Sequence, residues 1–315
     1  MNQLVPVPDI AERLRDWSVA ARGAYAFNTE RAYRSDFDAF QAWCASAELD
    51  QLPAEPSTVA AFLRAESAAG KAVATLRRRA ATIAKVHRAA DLPSPCGSEV
   101  VRLALRAIAR ERGTQQRQAA PLTARDADRI TDRILREDVR LKDLRDVALM
   151  LLGKDLLARA SEIVALTVDM ISFDPDDRTA HVALRRHKTS TEAQECLVGP
   201  DAAAALQRWL ETAGIASGTV FQSITKSGKP TGVALSPRDV GRILKSLAIR
   251  ARLDASCISS HSMRVGTAVD CVAANIDAAS IMQAGGWTSV RMVARYTSKL
   301  AAKRGAIARL HKLIG

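Results

Sequence analysis

The residues richest in chemistry lie near the end of the chain: His261-Ser-Met-Arg264, then Trp287, then Tyr296. Their types suit one reaction, the cutting of a phosphodiester by a tyrosine. An arginine clamps the phosphate, histidine and tryptophan donate hydrogen bonds to it, and the tyrosine hydroxyl attacks phosphorus. His261 and Arg264 are three residues apart, so at a helix start both lie on one face and reach one phosphate. A second arginine, Arg159, stands far upstream in Leu-Leu-Ala-Arg-Ala-Ser-Glu, and Lys188 lies between the two.

Two arginines serve such a reaction well. The transition state gathers negative charge on the equatorial oxygens, and each guanidinium can bind two of them. Preorganised charge of this kind is usually the largest catalytic term. The sequence carries neither a carboxylate cluster suited to two metals nor a P-loop. The expectation is therefore a site with no metal and no cofactor. A free tyrosine has a pKa of about 10, so it needs cations around it to become a competent nucleophile. Tyr25 and Tyr33 fall in the predicted helical N-terminal domain, which leaves Tyr296 as the nucleophile candidate of the C-terminal part.

The order Arg159, Lys188, His261-x-x-Arg264, Trp287, Tyr296 resembles the tyrosine recombinases, the phage integrase family. The block Ile281-Met-Gln-Ala-Gly-Gly-Trp-Thr-Ser-Val290 is similar to the Cre branch of that family, in which tryptophan stands where most members have histidine. The N-terminal stretch Thr29-Glu-Arg-Ala-Tyr-Arg-Ser-Asp-Phe37 resembles the family's helical core-binding domain. The resemblance implies that Arg159 is the first phosphate clamp, with Glu162 supporting it. Lys188, followed by Thr189, matches the lysine that protonates the leaving 5′ oxygen from a β-hairpin turn. Its neighbours Arg185, Arg186 and His187 are alternative phosphate binders. The family's glycine-containing turn before the first arginine is replaced here by Leu157-Ala158. The resemblance further implies a C-shaped clamp on duplex DNA, a 3′-phosphotyrosine intermediate and a Holliday junction. Four protomers would act on an inverted-repeat site, with accessory DNA-bending proteins as further partners.

These groups need elements to hold them. The predicted fold is mainly α with a small antiparallel β-sheet edge. A helical N-terminal domain over residues 1–113 and a linker at 114–121 precede a catalytic domain over 122–315. Helices are expected at 7–22, 29–45, 57–68 with Ser57 as its cap, 75–90 and 98–112. Tyr33, Phe37, Phe40 and Trp43 recur at helical spacing and read as core. Thr123 should cap the first helix of the second domain, and 141–157 is strongly apolar. Strands are expected at 167–173, 179–185 and 195–198. Helices return at 200–214, 236–252, 262–274, 277–284 and 289–297, with a last one at 301–313. Leu300, Ile307, Leu310 and Leu313 form an apolar stripe on that last helix, which either packs within its own chain or, as the resemblance to Cre-like proteins implies, docks into a neighbouring subunit.

Charge points to a polyanionic partner. The 315 residues carry a formal net charge of +12, with a pI near 9.9. The excess is shared, +4 over residues 1–120 and +8 over the remainder. Between Lys71 and Arg88 there are six basic residues and no acid, and Arg102, Arg106 and Arg110 repeat every four residues. Candidate DNA contacts are thus Arg77, Arg78, Arg79, Lys85, Arg88, Arg102, Arg106 and Arg110. Lys226 and Lys229, in a Ser/Gly-rich loop, read as backbone contacts. Residues 278–315 contain no Asp or Glu and seven Lys and Arg.

Hydrophobic residues make up 48% and aromatics only 4%, a mix suited to helix packing. Five cysteines without CxxC spacing argue against a disulfide framework or a zinc site. No run of 18 apolar residues occurs and the N-terminus lacks a signal h-region, so a soluble intracellular protein is expected; the resemblance implies a cytoplasmic, nucleoid-associated one. Three rivals to a recombinase stand at this point: a type IB topoisomerase, a decayed recombinase that only binds DNA, and a metal-dependent nuclease.

Overall fold

A computed structural model of the chain describes residues 9–115, 118–136, 138–186, 193–304, 310–311 and 314. The chain divides into two compact units, Met1–Arg117 and Gln118–Gly315. The described residues are mainly helical, with two small antiparallel sheets. No described helix is long and apolar enough to cross a membrane.

The first unit contains α1 (Ile10–Ala20), α2 (Phe27–Ser46), α3 (Pro56–Ala68), α4 (Val73–Ala89) and α5 (Glu99–Arg112). Its core gathers Phe40, Phe62, Leu63, Leu76, Ile83 and Val101. The aromatic stripe of α2 faces inward: the Phe40 and Phe62 rings meet edge-on at 5.1 Å, and Trp43 lies 5.6 Å from Phe62. Tyr33 departs from this pattern, packing against Tyr25 at 5.6 Å. Ser98 caps α5 by accepting the Val100 N–H at 3.3 Å. Ser57 does not cap α3. Glu55 holds the cap position, and Pro56 opens the helix because its fixed φ suits the first turn.

The expected basic face of α4 is partly corrected. Arg78 makes a two-pronged ion pair with Asp36, at 2.7 and 2.8 Å. Arg79 is 11% exposed, pairs with Glu66 and Asp36, and stacks over Phe62. Lys85 donates to the Tyr25 hydroxyl at 2.5 Å and lies over the Tyr25 and Tyr33 rings. The acids missing from this stretch of sequence arrive from α2 and α3, whose approach only the folded bundle creates. Arg77 and Arg88 are exposed, as are Arg102, Arg106 and Arg110 on α5, where Arg102 and Arg106 share Glu99.

The second unit begins with α6 (Ala124–Ile134), closed by a reciprocal cap between Thr123 and Asp126. Next come α7 (Leu141–Asp155), α8 (Ala160–Ile163) and a sheet of β1 (Ile171–Phe173), β2 (Ala180–Leu184) and β3 (Gln194–Val198). β2 is the central strand, with Val182 opposite both Ile171 and Cys196. Then follow α9 (Pro200–Ala213), a β4 (Gln222–Ile224)–β5 (Pro230–Ala234) hairpin, α10 (Pro237–Arg250), α11 (Ser262–Ala273), α12 (Ala278–Gly285) and α13 (Val290–Arg304). α7 is buried on nearly all sides because α6, α9, α10 and α11 pack around it.

Three expectations shift here. The β4–β5 hairpin stands where the sequence reads as loop, because β5 contains Pro and Gly, is mostly exposed and so lacks alternation. Lys226 and Lys229 sit at its exposed tip. Ala120, within the expected linker, is bonded into the second unit, its N–H reaching the Cys257 carbonyl at 2.9 Å. The Leu122 N–H continues this attachment to the Ser262 carbonyl at 3.0 Å. α13 runs through to Arg304, and most of the separate helix expected at 301–313, with Ile307 and Leu313 of its stripe, lies outside the described residues.

Candidate active site

The site is built from helix ends. α7 stops with the Leu157 N–H bonded to Lys154 and the Ala158 N–H bonded to Gly153, at 3.0 and 3.1 Å. This pattern requires a left-handed residue after the helix, and Leu157 takes that role at φ 43°. The position where the family carries its glycine-containing turn therefore keeps the turn without the glycine. The chain then reverses into α8, with Arg159 at its N-cap. The Arg159 N–H reaches Glu162 Oε2 at 2.7 Å, and its guanidinium pairs with Glu162 Oε1. Glu162 thus fixes both backbone and side chain of Arg159, whose side chain remains 38% exposed.

α11 brings the second arginine to the same place. Gly266, in its first turns, packs against the Leu122 backbone so tightly that a Cβ would lie 1.8 Å from the Leu122 oxygen. That contact explains the Val265-Gly266 that follows the His-x-x-Arg motif. Arg264 is 1% exposed. It donates to the Leu157 carbonyl and, at 2.8 Å, to the Gly285 carbonyl. Its guanidinium carbon lies 4.8 Å from the centre of the Trp287 ring. Burial, reinforced by the charge of Arg159, lowers the Arg264 pKa to about 10, so it stays cationic at neutral pH. His261 stands at the N-cap position of α11, its side chain making no capping bond, and is exposed. Desolvation of its ring, with the charges of Arg264 and Arg159, holds it below the ordinary histidine value.

Trp287 and Tyr296 complete the group. α12 ends on Gly286 at φ 60°, and the Trp287 N–H bonds back to Met282 at 2.9 Å, which turns the indole inward. Trp287 packs with Leu157, Ala268, Ile281 and Val293, and Tyr296 lies against that cluster. The Trp287 and Tyr296 rings are 5.6 Å apart. Tyr296, half-buried on α13, lies within electrostatic reach of Arg264.

Arg159, Glu162, His261, Arg264, Trp287 and Tyr296 are thus gathered in one place. Lys188 and His187 lie outside the described residues. Sequence reasoning underrated Arg186. Expected at most as an alternative phosphate binder, it is 7% exposed and enclosed by protein acceptors. Three guanidiniums, of Arg159, Arg186 and Arg264, face one carboxylate, Glu162. Such an imbalance in a half-buried place leaves a site that attracts an anion.

Comparison with known proteins agrees with this arrangement. Residues 121–303 match the model of the phage integrase family, and residues 18–91 that of the phage integrase N-terminal SAM-like domain. The chain is 32% identical over 285 residues to an integrase/recombinase XerD homolog of Selenomonas ruminantium, covering 86% of this chain and 81% of that protein. It is 30% identical over 306 residues to the Cre recombinase of Escherichia phage P1, covering 92% and 89%. Its fold is similar to that of the XerH site-specific recombinase bound to palindromic difH DNA, with a TM-score of 0.63 at 12% identity over 96% of this chain and 86% of that one. Two family models fall one in each unit, and two relatives align over most of both chains: the protein belongs to the phage integrase family, the tyrosine recombinases.

Proposed function

We propose that the protein is a site-specific DNA recombinase that cuts and rejoins duplex DNA through Tyr296. The observation that carries this reading is the convergence of Arg159, His261, Arg264 and Trp287 beside Tyr296, with positive charge in excess. Arg159 and Arg264 bind the non-bridging oxygens of the scissile phosphate, and His261 and Trp287 donate to the same group. The Tyr296 hydroxyl gives up its proton to solvent and attacks phosphorus, and solvent later returns a proton to Lys188. A Tyr–O–P bond forms, the P–O5′ bond breaks, and Lys188 supplies a proton to the departing 5′ oxygen. The product is a 3′-phosphotyrosine and a free 5′-hydroxyl. Since the ester bond is conserved, a 5′-hydroxyl from another strand can reverse the step without ATP.

In this reading the two units close around DNA as a C-shaped clamp. Four protomers assemble on an inverted-repeat site and exchange strands in pairs through a Holliday junction, with DNA-bending proteins as helpers. Exposed Arg77, Arg88, Arg102, Arg106 and Arg110 supply phosphate contacts from the first unit. Support comes from the XerD-like and Cre relatives and from the likeness to recombinases bound to DNA.

The test uses a nicked suicide duplex carrying the inverted repeat that the protein selects from a random pool, incubated in EDTA. A covalent protein–DNA band is expected from the wild type and none from Tyr296→Phe, while both bind the duplex. A band of equal strength from the variant removes Tyr296 as the nucleophile. A band lost in EDTA and restored by a divalent cation moves the protein to metal-dependent cleavage.

A further inference from the structure

Arg186 is buried beside the site without facing solvent. Its Nη2 donates to the Ala284 carbonyl and, at 3.5 Å, to Cys196 Sγ. Its Nη1 reaches the Leu157 carbonyl at 3.4 Å and lies 3.9 Å from Glu162 Oε2. Its Nε reaches the Gln194 side chain at 3.3 Å. Its own carbonyl accepts from Arg159 Nη1 at 3.2 Å.

Two of these contacts form a pattern. The Leu157 carbonyl is shared by Arg186 and Arg264. Ala284 and Gly285 are consecutive, and their carbonyls are held by Arg186 and Arg264 respectively. The end of α7 and the end of α12 are therefore pinned together twice, by two guanidiniums. Meanwhile the Arg186 carbonyl holds Arg159. A Cβ on Gly286 would come within 3.1 Å of the Arg186 side chain, so the fit leaves little slack. A buried cation at this point carries a desolvation cost, which a packed apolar side chain would avoid. Its carbonyl contacts link segments that hold the groups proposed to bind phosphate.

We propose that Arg186 is a positioning residue for strand cleavage, setting the separation of the two phosphate-clamping guanidiniums, Arg159 and Arg264. It touches no substrate. It acts by fixing the Leu157 and Ala284 carbonyls and by offering its own carbonyl to Arg159. The proposal rests on the reading of Arg159 and Arg264 as phosphate clamps. Misplacing a catalytic group by about 1 Å can cost on the order of 10²-fold in rate.

The experiment follows single-turnover cleavage of the selected suicide duplex in two forms. One has the ordinary scissile phosphodiester, and the other a methylphosphonate there, which carries no charge for the clamps to neutralise. Arg186→Met should slow cleavage of the phosphodiester by about 10- to 10²-fold, with a deficit several-fold smaller on the methylphosphonate. Arg186→Lys should fall between wild type and Arg186→Met. Arg264→Ala reports on the underlying reading and should also lose less on the neutral substrate. If Arg264→Ala shows that relief and Arg186→Met is impaired equally on both substrates, or not at all, the positioning role is wrong. If Arg264→Ala shows no relief, the clamp reading falls and this proposal with it. Should Arg186→Met fail to fold, Arg186→Lys carries the same comparison.

Discussion

The carbonyl oxygen of Leu157 accepts a hydrogen bond from Arg264, 107 residues further along the chain. Leu157 stands two residues before Arg159, so one peptide group ties the two candidate phosphate clamps together. The bond exists because Leu157 adopts a left-handed conformation at φ 43°, which turns the chain after α7. A conformation unfavourable for leucine is thus held by the contacts around it.

Arg264→Lys keeps the charge but not the fork. A lysine presents one ammonium and cannot span the Leu157 and Gly285 carbonyls while binding phosphate. The expected result is cleavage reduced by about 10²–10³-fold with DNA binding retained. Single-turnover cleavage beside a gel-shift titration checks it. Near-normal cleavage by the lysine variant would show that charge alone suffices.

Leu157→Gly restores the residue type that left-handed turns favour, and still it should destabilise the protein. Relief of backbone strain is worth about 1–2 kcal/mol. Against it stands the loss of a side chain that is 4% exposed and packs with Ala268, Ile281, Trp287 and Val293. Removing a buried leucine costs about 2–5 kcal/mol. The cavity outweighs the strain over most of these ranges, giving a net loss of about 0–4 kcal/mol, centred on about 2 kcal/mol, and a loosened Trp287. Thermal unfolding and tryptophan fluorescence test this, and a raised Tm would reverse the ranking.

The arginines of α4 and α5 should separate into two classes. Arg88→Ala and Arg110→Ala remove exposed charges that make no ion pair among the described residues. Each is expected to lower the slope of log Kd against log salt by about 0.9 for every phosphate left unneutralised. Arg79→Ala should leave that slope unchanged and lower stability by about 1–3 kcal/mol, because Asp36 and Glu66 lose a partner. A changed salt slope for Arg79→Ala would return it to the DNA-contacting set.

Acid should weaken the first unit through His87. This residue is fully buried, with Nδ1 against the Ile83 carbonyl at 2.8 Å and Nε2 accepting the Ala54 N–H at 3.0 Å. Both nitrogens are satisfied in the neutral ring, and protonating Nε2 would break the Ala54 bond. Burial lowers its pKa below the ordinary histidine value. The unfolded chain, titrating at about 6.5, therefore binds the proton more tightly than the folded one. Stability from this residue is complete above that pH and declines as pH falls through it. His261 carries the same sign in the second unit. His87→Gln should lower Tm at pH 7.5 and flatten its fall between pH 6.5 and 5.5. A variant curve parallel to wild type would rule the residue out as a contributor.

Much of this protein is set by local sequence. Helix periodicity and the Thr123 cap depend on neighbours within a few residues, and so they could be read along the chain, whereas the Ser57 cap did not form because Pro56 opens its helix from Glu55. The candidate site was legible for a different reason: Arg159, His261, Arg264, Trp287 and Tyr296 are distinctive in type and order, and the fold brings them together. What the chain alone did not reveal depends on distant partners. Nothing beside Arg79 announces Asp36 and Glu66, which other helices deliver. Nothing in Leu157-Ala158 shows that its carbonyl will hold Arg264, or in Arg186 that it will be buried among the Leu157 and Ala284 carbonyls. Backbone carbonyls carry no residue identity, so a site assembled on them leaves no motif. Packing decides which of several arginines faces solvent and which supports the others.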